Sequence, residues 1–164
     1  MDARDMWLEE AIERWEMPLL RFCYAQLNDM ALAEDAVQET FVKAYRGYAG
    51  FRGDSQEKTW LLRIALNTCR DMRRSAWSRH VDRTVTLDDV PQGEAVYTPW
   101  DDTLTRAVMA LPHKLREVVL LHYYHELTVP ETGAVLHMAR STVYYRLEKA
   151  HALLRKEMEG WQDE

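Results

Sequence analysis

Three arginines and an asparagine recur at helical spacing in EKTWLLRIALNTCRDMRR, residues 57–74. At one turn per 3.6 residues, Arg63, Asn67, Arg70 and Arg74 fall in a stripe about 60° wide. Leu61, Ile64, Ala65, Thr68, Cys69 and Met72 spread over the opposite side. The chemistry open to such a stripe is recognition of a polyanion. Guanidinium forks donate paired hydrogen bonds to phosphate, and a carboxamide can read the edge of a base. Trp60, with Tyr45, Tyr48 and Phe51 just upstream, could stack on unpaired bases. A plainer account of the same pattern is a solvated helix face beside core aromatics.

A second constellation lies in LTVPETGAVLHMARSTVYYRLEKAHALLRK, residues 127–156. Thr128 followed by Glu131 has capping-box spacing, and Pro130 is tolerated in a first helical turn. A short helix through Leu136, a turn at His137–Met138 and a second helix from about Arg140 give the layout of a helix-turn-helix. Val143, Leu147, Ala150 and Leu154 form a core stripe, which turns Tyr144, Tyr145, Glu148, Lys149, Ala152, Arg155 and Lys156 outward. A recognition helix places such side chains in the major groove; a helical hairpin for protein contact would show the same pattern.

A third arrangement, HYYHE at 122–126, sets His122 and His125 three residues apart, a spacing that can put two imidazoles on one metal. The second histidine of a HExxH motif is missing, and no carboxylate cluster accompanies the pair. The expected placement is a partly exposed helix face with Val118, Leu121 and Tyr124 buried. A metalloenzyme and a pure interaction adaptor are therefore weaker readings, and no metal or cofactor is expected.

Charge is segregated along the chain, whose net charge is −6. Residues 63–83 carry six arginines against two aspartates, and residues 140–156 carry five basic residues against one glutamate. Residues 84–102 carry five acidic residues and no basic one. Two basic segments with an acidic stretch between them suggest two surfaces for a polyanion.

The elements that must position these residues are helical. Gly and Pro are sparse, at 6 and 5 of 164 residues, and Leu, Ala, Glu, Arg and Met dominate the long segments. Breaks are expected at LND (27–29) and GYAGFRGDS (47–55). Residues 84–100, with Pro91, Gly93 and Pro99, read as a linker, and helical pattern resumes over 101–127. The expected fold is all-α: two small helical domains, at 8–83 and 101–160, joined by the acidic linker. Cys23 and Cys69 read as small buried hydrophobes. No apolar run reaches the ~20 residues of a membrane span. The acidic N-terminus has no apolar signal core, so a cytoplasmic location is expected.

At these residues the chain resembles an ECF (extracytoplasmic function) sigma factor of bacterial RNA polymerase. Residues 33–74 resemble the family's region two and residues 111–156 its region four. The resemblance implies a targeting protein rather than an enzyme. Asp35, Gln38 and Glu39 would dock on the clamp helices of the largest polymerase subunit, and a further contact would be made to the flap of the second largest. Phe51, Trp60, Arg63, Asn67, Arg70, Arg73 and Arg74 would melt and read the minus-ten element, with Asn67 near a flipped base. Arg140, Ser141, Thr142, Tyr144, Tyr145, Glu148 and Lys149 would read the minus-thirty-five element in the major groove. The linker would thread toward the RNA exit path. An anti-sigma factor, commonly membrane-bound, is a further implied partner. A helix-turn-helix regulator that never touches polymerase is the competing reading; it leaves the EDAVQE face beside a basic, aromatic helix unexplained.

Five positions depart from the family pattern. His137 stands where many relatives carry glycine, and Ala139 where a capping Ser would serve. Thr132 and Gly133 replace larger or apolar residues, which implies a softer first helix in the motif. Tyr144 replaces a frequently basic residue, so the minus-thirty-five sequence is not inherited from the resemblance.

Overall fold

The computed structural model of the protein describes residues 2–51, 56–82 and 103–162. The described residues are helical and contain no strand. The chain divides into two compact units, within 1–95 and 96–164. The expected linker, 84–100, lies outside the described residues, as do residues 52–55 of the second expected break.

The first unit packs three helices against one another: α1 (Ala3–Leu27), α2 (Met30–Gly47) and α3 (Glu57–Asp82). Local chemistry sets their ends. Asp2 caps α1 by accepting from the Asp5 amide at 2.9 Å. The break at 27–29 is a stop followed at once by a start. Asn28 closes α1 in the left-handed conformation, its amide donating to the Tyr24 carbonyl at 2.7 Å, and Asp29 opens α2 by accepting from the Leu32 amide at 3.1 Å. Asn tolerates that conformation, and Asp is among the best N-caps. A short 3-10 turn, Tyr48–Gly50, ends α2.

The core interleaves Leu19 and Phe22 of α1, Ala33, Ala36 and Phe41 of α2, and Leu61, Leu62 and Leu66 of α3. Alanines on α1 and α2 let the helix backbones approach closely. Cys23 and Cys69 are fully buried and unoxidised, as the hydrophobe reading expects. The sequence did not show that they meet: the Cys23 thiol hydrogen-bonds Cys69, and that contact together with burial pushes its titration up.

The second unit contains α4 (Thr103–Met109), α5 (His113–Val119), α6 (Val129–Leu136) and α7 (Arg140–Gln162). The continuous helical pattern expected over 101–127 is interrupted at Pro112, which cannot donate to the ladder and instead opens α5. After α5 the backbone widens into a π turn at Leu120–Tyr124, where the His125 amide reaches the Leu120 carbonyl at 3.0 Å. One extra residue per turn rotates everything that follows it. Tyr124 is therefore 44% exposed and His125 only 8% exposed, the reverse of the sequence expectation. Val118 and Leu121 are buried as expected.

Candidate nucleic-acid and polymerase interfaces

On α3 the stripe forms. Leu61, Ala65, Thr68 and Cys69 are buried, whereas Asn67 and Arg74 are exposed and Arg63 and Arg70 are half-buried on the other side. Ile64 and Met72, expected on the apolar side, are half-buried. Arg74 pairs with Asp71 one turn back. Arg73 is placed differently from its neighbours: its guanidinium turns inward to the Gln26 side-chain oxygen at 2.8 Å and the Gln26 carbonyl at 3.4 Å. It clamps α3 to the end of α1 rather than joining the stripe.

The aromatic residues upstream separate into two groups. Trp60 stacks on Phe51, with centroids 4.5 Å apart and planes 19° from parallel. Trp7 of α1 lies 5.8 Å from Trp60 and 4.9 Å from Tyr48. All four rings are half-buried, so the cluster lies at the surface. Tyr45 is engaged elsewhere: its hydroxyl donates to Asp5 at 2.6 Å, which pushes the phenol's titration up, and the Arg4 guanidinium sits 4.0 Å from its ring centroid. Sequence reasoning missed Trp7, and no local signal points to it, because its partners lie more than forty residues away.

On α2, Asp35, Gln38 and Glu39 are all exposed, on the side opposite buried Ala33, Ala36, Val37 and Thr40. Val42 continues the same row, since 35, 38, 39 and 42 share a helix face. It is 40% exposed. A solvent-facing valine at the end of an acidic row was legible in the sequence and was overlooked.

In the second unit the helix-turn-helix forms around α6 and α7. The capping box is complete: Thr128 Oγ1 accepts from the Glu131 amide at 3.2 Å, and Glu131 Oε1 accepts from the Thr128 amide at 2.9 Å. His137 closes α6 at φ 55° and ψ 50°, the left-handed conformation in which relatives were expected to use glycine. The core stripe holds, with Val143, Leu147 and Ala150 buried and Leu154 half-buried. Arg140, Ser141, Tyr144, Tyr145, Glu148 and Lys149 are exposed and Thr142 is half-buried. Lys149 Nζ lies 5.1 Å from the Tyr145 ring centroid, so the ammonium and phenol form one surface.

The Ala139 carbonyl accepts from the Thr142 and Val143 amides at 3.1 Å each, which places Ala139 at the N-cap of α7. Its methyl group cannot accept a hydrogen bond there. Ala139→Ser is therefore expected to stabilise the second unit by about 1 kcal/mol, read as a raised thermal midpoint; an unchanged midpoint would mean that the cap amides are already satisfied.

His122 Nδ1 donates to the Leu127 carbonyl at 2.8 Å, which fixes that ring in the turn before α6. Among the described residues no group of three or more His, Cys, Asp or Glu could hold a metal ion. No described helix is long and apolar enough to cross a membrane.

Residues 11–79 match the Sigma-70 region 2 family, and residues 101–154 match Sigma-70, region 4. RNA polymerase sigma factor YlaC of Bacillus subtilis is 30% identical over 165 residues, covering 96% of this chain and 95% of that protein. ECF RNA polymerase sigma factor SigW of the same organism is 27% identical, covering 91% and 87%. Among solved structures, sigma factor RpoE of Bartonella quintana, crystallised with the anti-sigma factor NepR, superimposes with a TM-score of 0.75 at 23% identity, covering 92% of this chain and 96% of that one. CnrH, solved with the cytosolic domain of CnrY, gives 0.69 at 24%.

Proposed function

This chain belongs to the ECF sigma factors of RNA polymerase, and from that membership we propose which of its faces performs each step of transcription initiation. It is an alternative sigma factor: it binds core polymerase and directs it to promoters. The observation that carries this is the presence of both regions, in order, in one chain. A helix-turn-helix regulator independent of polymerase has no need of the first.

Residues 8–83 form the domain that binds polymerase and opens DNA, and 101–160 the domain that reads duplex, with 84–100 as the acidic linker. The Asp35, Gln38 and Glu39 row, ending in Val42, meets the clamp helices of the largest subunit. Three polar side chains set register, and the valine adds apolar area that becomes worthwhile only once covered. An open groove of about 720 Å³ in the second unit, lined by Leu111, Pro112 and Leu153 with Lys156 at its edge, suits the flap of the second-largest subunit.

Arg63, Arg70 and Arg74 hold the phosphates of the minus-ten element, Asn67 reads an extruded base, and Trp60 with Phe51 stacks on unpaired neighbours. Arg140, Ser141, Thr142, Tyr144, Tyr145, Glu148 and Lys149 enter the major groove at the minus-thirty-five element. In this reading the bond-forming chemistry belongs to polymerase. Since RpoE and CnrH were each solved with a partner protein, an anti-sigma factor is the regulator we assign to this chain, which works in the cytoplasm. Net acidity makes DNA binding by the isolated protein weak and salt-sensitive, so promoter affinity depends on core polymerase.

Run-off transcription with bacterial core polymerase and genomic fragments tests this. Discrete start sites are expected only with the protein, lost in Gln38→Ala and Asn67→Ala. Duplex binding with no protein-dependent transcript would leave the independent-regulator reading standing instead.

A further inference from the structure

Nothing in the minus-ten assignment includes α1, yet α1 supplies one ring of the aromatic cluster and the donors that hold it. We propose that Trp7 is a positioning residue for the Trp60–Phe51 stack, and that Glu57 is the bracket that fixes Trp7. The proposal rests on the minus-ten reading above.

Glu57 accepts from Trp7 Nε1 at 2.8 Å through one carboxylate oxygen and from Arg14 Nη1 at 2.9 Å through the other. Two donors seven residues apart lie on one face of α1, and together they fix the carboxylate plane. As an ion pair the Arg14 contact is worth little, since its side chain is 57% exposed; its value is geometric. The oriented indole then packs against Tyr48 and Trp60, and Trp60 lies nearly parallel to Phe51. On the other side, the Tyr45–Asp5 hydrogen bond and the Arg4–Tyr45 contact tie down the first turn of α1. Trp7 thus sits between two sets of ties.

A core role would bury these rings, and they are only half-buried. A near-parallel stack at the surface is what an unpaired base can extend. Holding it in place beforehand removes an ordering cost from DNA capture. The bracket lies at the N-terminal end of the helix that carries Arg63 and Asn67, so the stack and the stripe share one rigid support.

The test uses the full chain on core polymerase and a promoter fragment from a mapped start site, prepared with its minus-ten non-template strand unpaired. Trp7→Phe and Glu57→Leu break the same hydrogen bond, and each should leave the fold and core binding intact. Each is expected to weaken binding to the unpaired probe about 5-fold, and the double variant no further than either alone. The dependence of affinity on salt should be unchanged, because no phosphate contact is lost. Additive losses, wild-type affinity in both variants, or losses that appear only where the protein has begun to melt would overturn the proposal. Asn67→Ala separates the two levels. If it too binds like wild type, the minus-ten reading fails; if it alone loses affinity, only the positioning role does.

Discussion

Arg73→Ala is expected to destabilise the first unit by about 2–3 kcal/mol, whereas Arg74→Ala next to it changes stability by no more than about 0.5 kcal/mol. Gln26 is 1% exposed, and its side-chain oxygen takes the Arg73 guanidinium at 2.8 Å. Its side-chain nitrogen is buried with no hydrogen-bond partner among the described residues, so the amide depends on its oxygen for satisfaction. Gln26 also lies in the last turn of α1, where carbonyls lack intrahelical donors and a cation complements the helix dipole. Removing the guanidinium leaves both oxygens of a buried residue short of their charged donor. Arg74 is exposed and pairs with Asp71 on its own helix; such a pair contributes little to stability. Urea unfolding followed by tryptophan emission reads the difference, because Trp7, Trp15 and Trp60 lie in the first unit and the emission of Trp161, in the second, is a background common to both variants. For the unpaired minus-ten probe the roles reverse: Arg74→Ala should reduce the salt slope by about one unit, and Arg73→Ala should leave it unchanged. A wild-type urea midpoint for Arg73→Ala, with a reduced slope, would return Arg73 to the DNA surface.

The contrast between two adjacent arginines shows how far the sequence could be read. Helical periodicity alone separated the Arg63, Asn67, Arg70 and Arg74 stripe from its apolar back, because both depend on spacing within one helix. The helix boundary at 27–29 and the capping box at Thr128 were legible for the same reason: Asn, Asp and a Thr–Glu pair act on amides within three or four residues. Long-range partners were not legible. Nothing near Arg73 in sequence indicates that α1 ends beside it, and Trp7 and Glu57 become neighbours only when α1 packs on α3. The π turn failed differently. Periodicity assumes a constant rotation per residue, and a local widening at Leu120–Tyr124 moved Tyr124 outward and His125 inward without leaving a mark on composition. Resemblance to a family supplied functional roles that spacing could not, and it was least informative where this chain departs from the pattern, at Thr132, Gly133, His137 and Ala139.

Gly133 is where that departure has its largest expected effect: Gly133→Ala should destabilise the second unit by about 1–3 kcal/mol, although alanine is the better helix former by about 1 kcal/mol. A small residue at this position was expected to make α6 softer. The structure shows a close approach instead. A Cβ on Gly133 would lie 2.7 Å from the Met138 carbonyl oxygen, a backbone atom with no rotamer to change. The turn cannot back away easily, because the Gly133 carbonyl accepts from the His137 amide and, at 3.0 Å, from the Met138 amide. Buried Thr132 adds a further constraint, its hydroxyl donating to the Thr128 carbonyl at 2.9 Å. Displacing Met138 would shift Ala139 and the start of α7, and with it Tyr144, Tyr145, Glu148 and Lys149, the residues proposed to enter the major groove. Loss of minus-thirty-five duplex binding should therefore accompany the lower thermal midpoint. His137→Gly, four residues on, should do the opposite. It relieves a left-handed non-glycine residue at φ 55° and should raise the midpoint by the equivalent of up to about 1 kcal/mol. If Gly133→Ala melted at or above the wild-type temperature, the turn would have room that its hydrogen bonds deny, and α6 would be the softer helix first expected.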